Sequence, residues 1–324
     1  MNSLSKDSAT WREVDESSHN QRIDNYLQKI LKGVPKSHIY RILRSGEVRV
    51  NSGRVQASYR LQEGDKVRLP PIRTGIKAPG TEGHGPLLSG PAFAGPVLYE
   101  DEHLLVVDKP SGVAVHGGSG ISSGVIEQLR MARQGLPFLE LVHRLDRDTS
   151  GVLMLAKKRA ALTGLHEQLR EGGVHKHYLA LVLGKWKDAK RNVKAALHKY
   201  VAASGERRVV VNEDGQQAHT IFRLVRNVPG YSLLDAELKT GRTHQIRVHL
   251  AHIGFPIAGD DKYGDFEANK RLSKQGLKRM FLHAASLQFN HPANGQSVHI
   301  EAPLAPELQR FLGLVQGPAA AKAS

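Results

Sequence analysis

The sequence predicts an α+β protein of two unequal domains, a small basic one and a larger one built on a mostly antiparallel mixed sheet flanked by helices. Three observations lead there. Residues 70–96, PPIRTGIKAPGTEGHGPLLSGPAFAGP, hold six prolines and six glycines, which suits neither a helix nor a strand ladder and reads as an interdomain linker. One long ordered loop is the alternative, but such loops are uncommon inside compact domains. After this segment, strand patterns come in runs with few helices between them, which favours antiparallel pairing. Before it, residues 22–60 carry nine Lys or Arg against two acids, Asp24 and Glu47. A chain of 324 residues is long enough for one domain of ordinary size plus a smaller one.

In chain order, residues 1–19 are expected to form a disordered arm and residues 20–69 the basic domain. Within it Pro35 can open a helix on which Ile39, Ile42 and Leu43 share a face, and Gly46 can close that helix. Lys36, Arg41 and Arg44 then lie off the apolar face. Val48-Arg49-Val50 alternates as a strand, Asn51-Ser52-Gly53 reads as a turn ahead of Arg54, and a second strand ends in Val67 and Leu69. A helix leading into a basic hairpin can lay these charges along a phosphate backbone, although a solvated basic helix that binds nothing has the same composition.

The larger domain is expected over residues 97–312, with a disordered tail at 313–324. VLYEDEHLLVV, residues 97–107, reads as strand, turn and strand, and the chain must turn again at Asp108-Lys109-Pro110-Ser111-Gly112. Residues 159–171 place Leu162, Leu165 and Leu169 on one helical face, stopped by Gly172-Gly173. Tyr178 to Leu183 reads as a buried strand, and further strands are expected at 207–212, 219–225 and 231–238. Thr243 can cap a helix from His244 to about Ile253, with Ile246, Leu250 and Ile253 inward and with His244 and Arg247 sharing another face. No internal repeat is found.

Composition narrows the chemistry. The chain has no cysteine, which excludes disulfides, thiolate metal sites and a cysteine nucleophile. No apolar run is long enough to span a bilayer, and the first residues lack the apolar centre of a signal peptide, so a soluble, cytoplasmic protein is expected. The formal charge of +15 favours a polyanionic partner. Nucleic acid is the first candidate; anionic membrane ranks behind it, because no long helix sets a basic face against an aromatic or leucine face.

Several motifs fail on spacing. Gly117-Gly118-Ser119-Gly120 is followed by no Gly-Lys-Ser/Thr, and Ser123 stands where the third glycine of a dinucleotide loop belongs, so no nucleotide cofactor is expected. His249 and His252 can share a helical face, but a third ligand is missing and Arg242 and Arg247 would repel a cation, so no metal is expected there. Asp148-Thr149-Ser150-Gly151 is a single segment with an inserted residue where an aspartic protease needs two, and no Gly-x-Ser-x-Gly elbow is present. What remains is LVHRLDRDTSGVLMLAKK, a polar turn with two aspartates between arginines ahead of a strand. A carboxylate in so cationic a loop is expected to stay ionised. From charge alone, Asp146 as a catalytic group and Asp146 as a turn residue held by ordinary arginine pairs explain the segment equally well.

Longer stretches separate these readings. QRIDNYLQKILKGVPKSHIYRILRSGEVRVN resembles the RNA-binding domain first recognised in small-subunit ribosomal protein S-four, over residues 20–69. HRLDRDTSG resembles the signature of the RluA family of pseudouridine synthases, preceded by VVDKPSG and followed by Lys176-His177-Tyr178 and LKTGRTHQIRVH in the family's order. The likeness runs from residue 20 to about 312. It implies an RNA-modifying isomerase with a synthase-type domain, no cofactor, Asp146 as the essential carboxylate, Tyr178 against the target base and Arg247 as the partner of Asp146. Arg144 matches the arginine that enters the RNA stack when the target uridine flips out; a phosphate contact is its plainer alternative. Lys36, Arg41, Arg44, Arg49 and Arg54 are the RNA-contact candidates of the basic domain.

GVPKSHIYRILR, AVHGGSG and FLELVHRLDRDTSGV together are similar to family members acting on large-subunit (23S) ribosomal RNA, so that RNA is the expected partner of a monomeric enzyme. A sister synthase acting on other ribosomal or transfer RNA uridines, or a non-catalytic ribosome-assembly protein, is the alternative. The residues do not decide whether Asp146 attacks the sugar or removes a proton from it.

Overall fold

Ile39, Ile42 and Leu43 each recur on one side of a helical turn, and burying that side organises the first of the two units, Met1–Leu87 and Leu88–Ser324, into which the computed structural model divides. The structure describes residues 8–31, 33–72, 93–117 and 123–316. The first unit runs β1 (Thr10–Glu13), α1 (Ile23–Ile30), α2 (Lys36–Arg44), β2 (Arg49–Val50) and β3 (Lys66–Leu69), with the strands in the order β1-β3-β2. Ile23 and Leu27 of α1, the apolar face of α2 and Val50, Val67 and Leu69 of the strands form one core. Each fully buried aliphatic side chain stabilises it by about 1.5–3 kcal/mol. Pro35 precedes α2, and Gly46 at φ +73° ends it. Asn51 and Ser52 both take positive φ, as a tight strand-reversing turn requires.

The second unit is built on one sheet of ten strands. Its main path is β4 (Val97–Glu100), β5 (Leu104–Lys109), β7 (Ser150–Ala156), β14 (Leu282–Asn290), β8 (His175–Leu183), β13 (Tyr231–Leu238), β12 (His219–Val228) and β9 (Lys190–Lys194); β6 (Glu140–Leu141) pairs β7, and β15 (Ser297–Glu301) pairs β14. Among the described residues only the β7–β14 contact is parallel. β10 (Leu197–Val201) and β11 (Arg207–Val211) form a separate hairpin. Helices α3 (Val125–Ala132), α4 (Arg159–Glu171), α5 (Gln245–His252), α6 (Phe266–Lys274) and α7 (Pro306–Gln316) complete the unit. Alternating sheet residues feed two cores, Leu105, Val107, Leu153 and Leu155 in one and Leu104, Val106, Val152 and Met154 in the other. The expected α+β architecture with a mostly antiparallel sheet is thus present.

The structure departs from the sequence reading at several points. Thr10–Glu13, assigned to the disordered arm, pair with Lys66–Leu69 instead, and Val14 enters the core at 2% exposure. The strand is short and half polar, so its own pattern is weak, and edge pairing supplies its order. Residues 313–316, assigned to the disordered tail, continue α7, whose Leu312 is buried. Thr243 does not cap α5; His244 holds that position in the left-handed region at φ 53° with no side-chain cap bond. Gln245 secures the turn instead, accepting from Arg242 N–H at 3.0 Å and Thr240 Oγ1–H at 2.7 Å and donating to His219 O at 3.0 Å. Ile253 stands past the helix end, half-buried. Residues 73–92 of the expected linker, Gly118-Ser119-Gly120, and the ends 1–7 and 317–324 lie outside the described residues.

Candidate active site

Asp146 lies in the loop between β6 and β7, and that loop is fixed mainly through its backbone. Leu145 beside it is buried in the core. Lys109, at the end of β5 and fully buried, donates to the carbonyls of Pro110, Val113 and Arg147 at 2.8, 2.8 and 2.9 Å. Burial pushes its ammonium down to about 7, against the charges of Asp148 and Asp146, yet three donations require all three protons. Gly112 N–H also meets Arg147 O, Ser111 Oγ donates to Asp148 O at 2.8 Å, and Arg279 Nη2 donates to Ser150 Oγ at 2.9 Å. The Asp-Lys-Pro-Ser-Gly turn is therefore the cradle of the Asp146 loop. Just beyond it, Gly151 at φ +110° approaches β14 so closely that a Cβ would stand 2.1 Å from Ala284 O.

The two other sequence-predicted residues of the trio converge on this loop. From α5, Arg247 donates Nη1–H to Asp146 Oδ2 at 3.2 Å. The side chains are 5% and 24% exposed, so the pair is shielded on one side and open on the other. Tyr178, on β8 opposite Ala236 and Ala284, is buried and lines the same cleft. Burial, then the charge of Asp146, pushes its hydroxyl above the usual tyrosine range. Arg144 is exposed at the cleft mouth with no side-chain partner among the described residues. The cleft measures about 720 Å³, and its lining carries Arg144, Arg170, Lys176, Lys239, Arg242 and Arg247 against Asp146 alone. A second cavity of about 410 Å³ also reaches Asp146, Arg144, His244 and Arg247. The arrangement presents one carboxylate, gripped from behind, to a cationic groove suited to a polyanion.

Sequence reasoning missed what grips Arg247. Asp260, 1% exposed, accepts from Arg247 Nε and Nη2 at 2.8 Å each, a bidentate fork. Asp260 Oδ1 also accepts from the backbone N–H groups of Lys262 and Tyr263 at 2.9 and 3.0 Å. Burial opposes both charges, but the fork outweighs it, holding Asp260 below and Arg247 above their usual ranges. Tyr263 lies under the guanidinium, 5.1 Å from ring centre to Cζ. The available signal was an Asp-Asp-Lys-Tyr-Gly run shortly after the helix, two carboxylates in a glycine-bounded turn.

The histidines of α5 are separated by their surroundings. His249 is buried between Thr220 Oγ1 at 2.9 Å and Ala195 O at 3.1 Å, a packing role. His244 Nε2 instead faces Asp146 Oδ1 at 3.9 Å. No group of three or more His, Cys, Asp or Glu placed to hold a metal occurs among the described residues, and no helix there is long and apolar enough to cross a membrane.

In the first unit Lys36, Arg41, Arg44, Arg49 and Arg54 are all exposed. Arg49 Nε donates to Gly46 O at 3.2 Å, and the Arg54 side chain runs over Gly46, so these two gather just past Arg44 at the end of α2. Arg41 Nη2 lies 3.4 Å from the His38 ring nitrogens.

The RNA pseudouridylate synthase family matches residues 103–252, and the S4 domain family matches residues 21–67. The chain is 53% identical over 302 residues to ribosomal large subunit pseudouridine synthase C of Salmonella typhi, covering 92% of this chain and 94% of that protein. It is 54% identical over 295 residues to the protein of the same name in Escherichia coli K12, covering 90% and 92%. Among solved structures, human RNA pseudouridylate synthase domain containing 1 aligns with a TM-score of 0.57 at 26% identity, covering 68% of this chain and 89% of that one. The chain therefore belongs to the RNA pseudouridylate synthase family, as an enzyme carrying an S4 domain ahead of its synthase domain.

Proposed function

We propose that this RNA pseudouridine synthase isomerises uridines of large-subunit ribosomal RNA, with Asp146 as its catalytic carboxylate. The observation that carries the assignment is the placement of Asp146, paired with a buried arginine on one oxygen and open to the cationic cleft on the other. The names of the relatives supply the RNA class. The reaction breaks the bond between uracil N1 and the sugar C1′, turns the detached base and joins C5 to C1′; the proton leaves C5 and N1 gains one, with no net oxidation or hydrolysis. Asp146 either attacks C1′ or takes the proton of C2′, and both routes need it as a carboxylate. Arg247, locked by Asp260, positions it.

The target atoms are out of reach inside a stacked helix, so the nucleotide must flip at a cost of about a few kcal/mol, offset by pocket contacts. Arg144, exposed at the cleft mouth, fills the vacated place in the stack. Tyr178 borders the uracil. Its phenol is protonated at neutral pH, and burial beside Asp146 raises it further, so it serves as a wall against the base. Lys36, Arg41, Arg44, Arg49 and Arg54 hold the RNA backbone, and the enzyme works as a cytoplasmic monomer without a cofactor. The test is to map pseudouridines in ribosomal RNA from cells with and without the protein. Sites in the large-subunit RNA are expected to vanish in its absence; an unchanged large-subunit map refutes the substrate.

A further inference from the structure

His244 adopts a left-handed backbone, φ 53° and ψ 22°, that side chains other than glycine rarely take. Its imidazole is fixed from behind. Nδ1 stands 2.8 Å from the hydroxyl of Tyr263, and that hydroxyl accepts the backbone N–H of Val209 at 3.0 Å. Nδ1 is within hydrogen-bond reach of the Tyr263 hydroxyl, and donation by Tyr263 to Nδ1 selects one tautomer. The neutral ring then carries its own proton on Nε2. Nε2 points to Asp146 Oδ1 across 3.9 Å, while Oδ2 is taken by Arg247 at 3.2 Å. The gap is too long for a direct hydrogen bond, but an oxygen placed about 2.8 Å from each end subtends an angle of about 90°, which suits a hydroxyl that accepts on one side and donates on the other.

Resting on the proposed function, we infer that this gap is the site of the target ribose 2′-hydroxyl, which accepts from His244 Nε2–H and donates to Asp146 Oδ1. A carboxylate that attacks C1′ comes from the sugar face opposite the departing uracil, the face that carries the 2′-hydroxyl, and that hydroxyl then falls between Asp146 and His244. The pair Tyr263–His244 thereby reads ribose at the reacting nucleotide, because only a 2′-hydroxyl supplies both donor and acceptor there. Tyr263 also underlies Arg247, so one residue steadies both groups that face the carboxylate.

The test compares single-turnover rates of the full-length enzyme on an RNA oligonucleotide carrying the mapped uridine as ribose or as 2′-deoxyribose. His244→Ala is expected to slow the ribose substrate about tenfold and leave the deoxy substrate unchanged, the size of one net hydrogen bond. Tyr263→Phe, which keeps the ring under Arg247 and removes only the phenolic group, is expected to lose part of the same preference. If the wild-type enzyme binds the deoxy oligonucleotide without converting it, the same comparison is read in dissociation constants. Equal losses on both substrates in these variants overturn the inference. Failure of the wild-type enzyme to convert the ribose oligonucleotide refutes instead the function on which it rests.

Discussion

Replacing Asp260 by asparagine tests whether the catalytic geometry is held from two residues away. Asp260 is 1% exposed and takes two of the guanidinium donors of Arg247 at 2.8 Å, leaving Nη1 for Asp146. An asparagine amide keeps one acceptor but presents N–H groups where the second was, and it removes the charge. Breaking one side of a buried ion pair costs about 3–5 kcal/mol. Asp146 still neutralises part of the guanidinium charge, so the lower end, about 3 kcal/mol, is expected. For a domain of this size that corresponds to a fall in Tm of roughly 6–12 °C. The kinetic effect is separate: without the fork, Arg247 no longer fixes the carboxylate, and a misplacement of about 1 Å costs on the order of a hundredfold in rate. The assay is single-turnover pseudouridine formation at a temperature where the variant is folded, run as a double-mutant cycle with Arg247→Ala. Asp260→Asn is expected to slow the wild type strongly and to add nothing in the Arg247→Ala background. A folded Asp260→Asn enzyme with near wild-type turnover, or an equal loss in both backgrounds, refutes the reasoning.

Three other outcomes follow from the same geometry. Lys109→Met leaves three carbonyls without their donor and is expected to cost about 1–3 kcal/mol, read as a lower midpoint in urea, with slowed turnover in the folded fraction. Replacing Arg44, Arg49 and Arg54 together by alanine is expected to flatten the dependence of log affinity on log salt by about 2–3 while sparing single-turnover rate at saturating enzyme; an unaltered slope removes these residues from the RNA contact. Burial, opposed by Asp146 and reinforced by Arg247 and Lys262, holds His244 below its usual range near 6.5. Groups acting on it are Asp146 from the loop before β7, Arg247 from α5, and Asp260, Lys262 and Tyr263 after the helix, while Arg144, Arg147, Asp148, Glu206 and Asp261 line the same cavity. Protonation puts a proton on Nδ1 against the Tyr263 hydroxyl, so the rate is expected to hold down to about pH 6.5 and fall below it, an acid limb that His244→Gln lacks.

Much of the site was legible because its residues cluster in local segments. The Asp146 loop stands out as charged residues between an apolar lead-in and the all-buried strand Ser150–Ala156. Arg247 was readable as off the apolar stripe of α5, but its pairing with Asp146, 101 residues away, came only from the family resemblance. Asp260 stayed hidden because an Asp-Asp-Lys-Tyr turn has the composition of any solvent-exposed turn, and charge does not reveal which aspartate is buried at 1% and which side chain stays exposed at 75%. Lys109 is the same problem inverted: a lysine after an apolar strand reads as its polar end, whereas three carbonyls of a turn and a distant loop draw it inside. β14 and its parallel contact with β7 depend on pairing between residues 283 and 150, which no local period encodes. The strand Thr10–Glu13 is ordered by an edge it completes rather than by its own four residues.

The central claim is that Asp146 does the chemistry and does not merely hold a turn. Its most direct test is pseudouridine formation in a large-subunit ribosomal RNA fragment by Asp146→Asn enzyme under single-turnover conditions, with RNA affinity measured in parallel. Asparagine preserves the size and the loop, whose anchors at Lys109, Gly112 and Ser111 are bonds to other residues. The expected result is RNA binding near the wild-type level with no pseudouridine formed. Turnover near the wild-type rate in that variant contradicts the account.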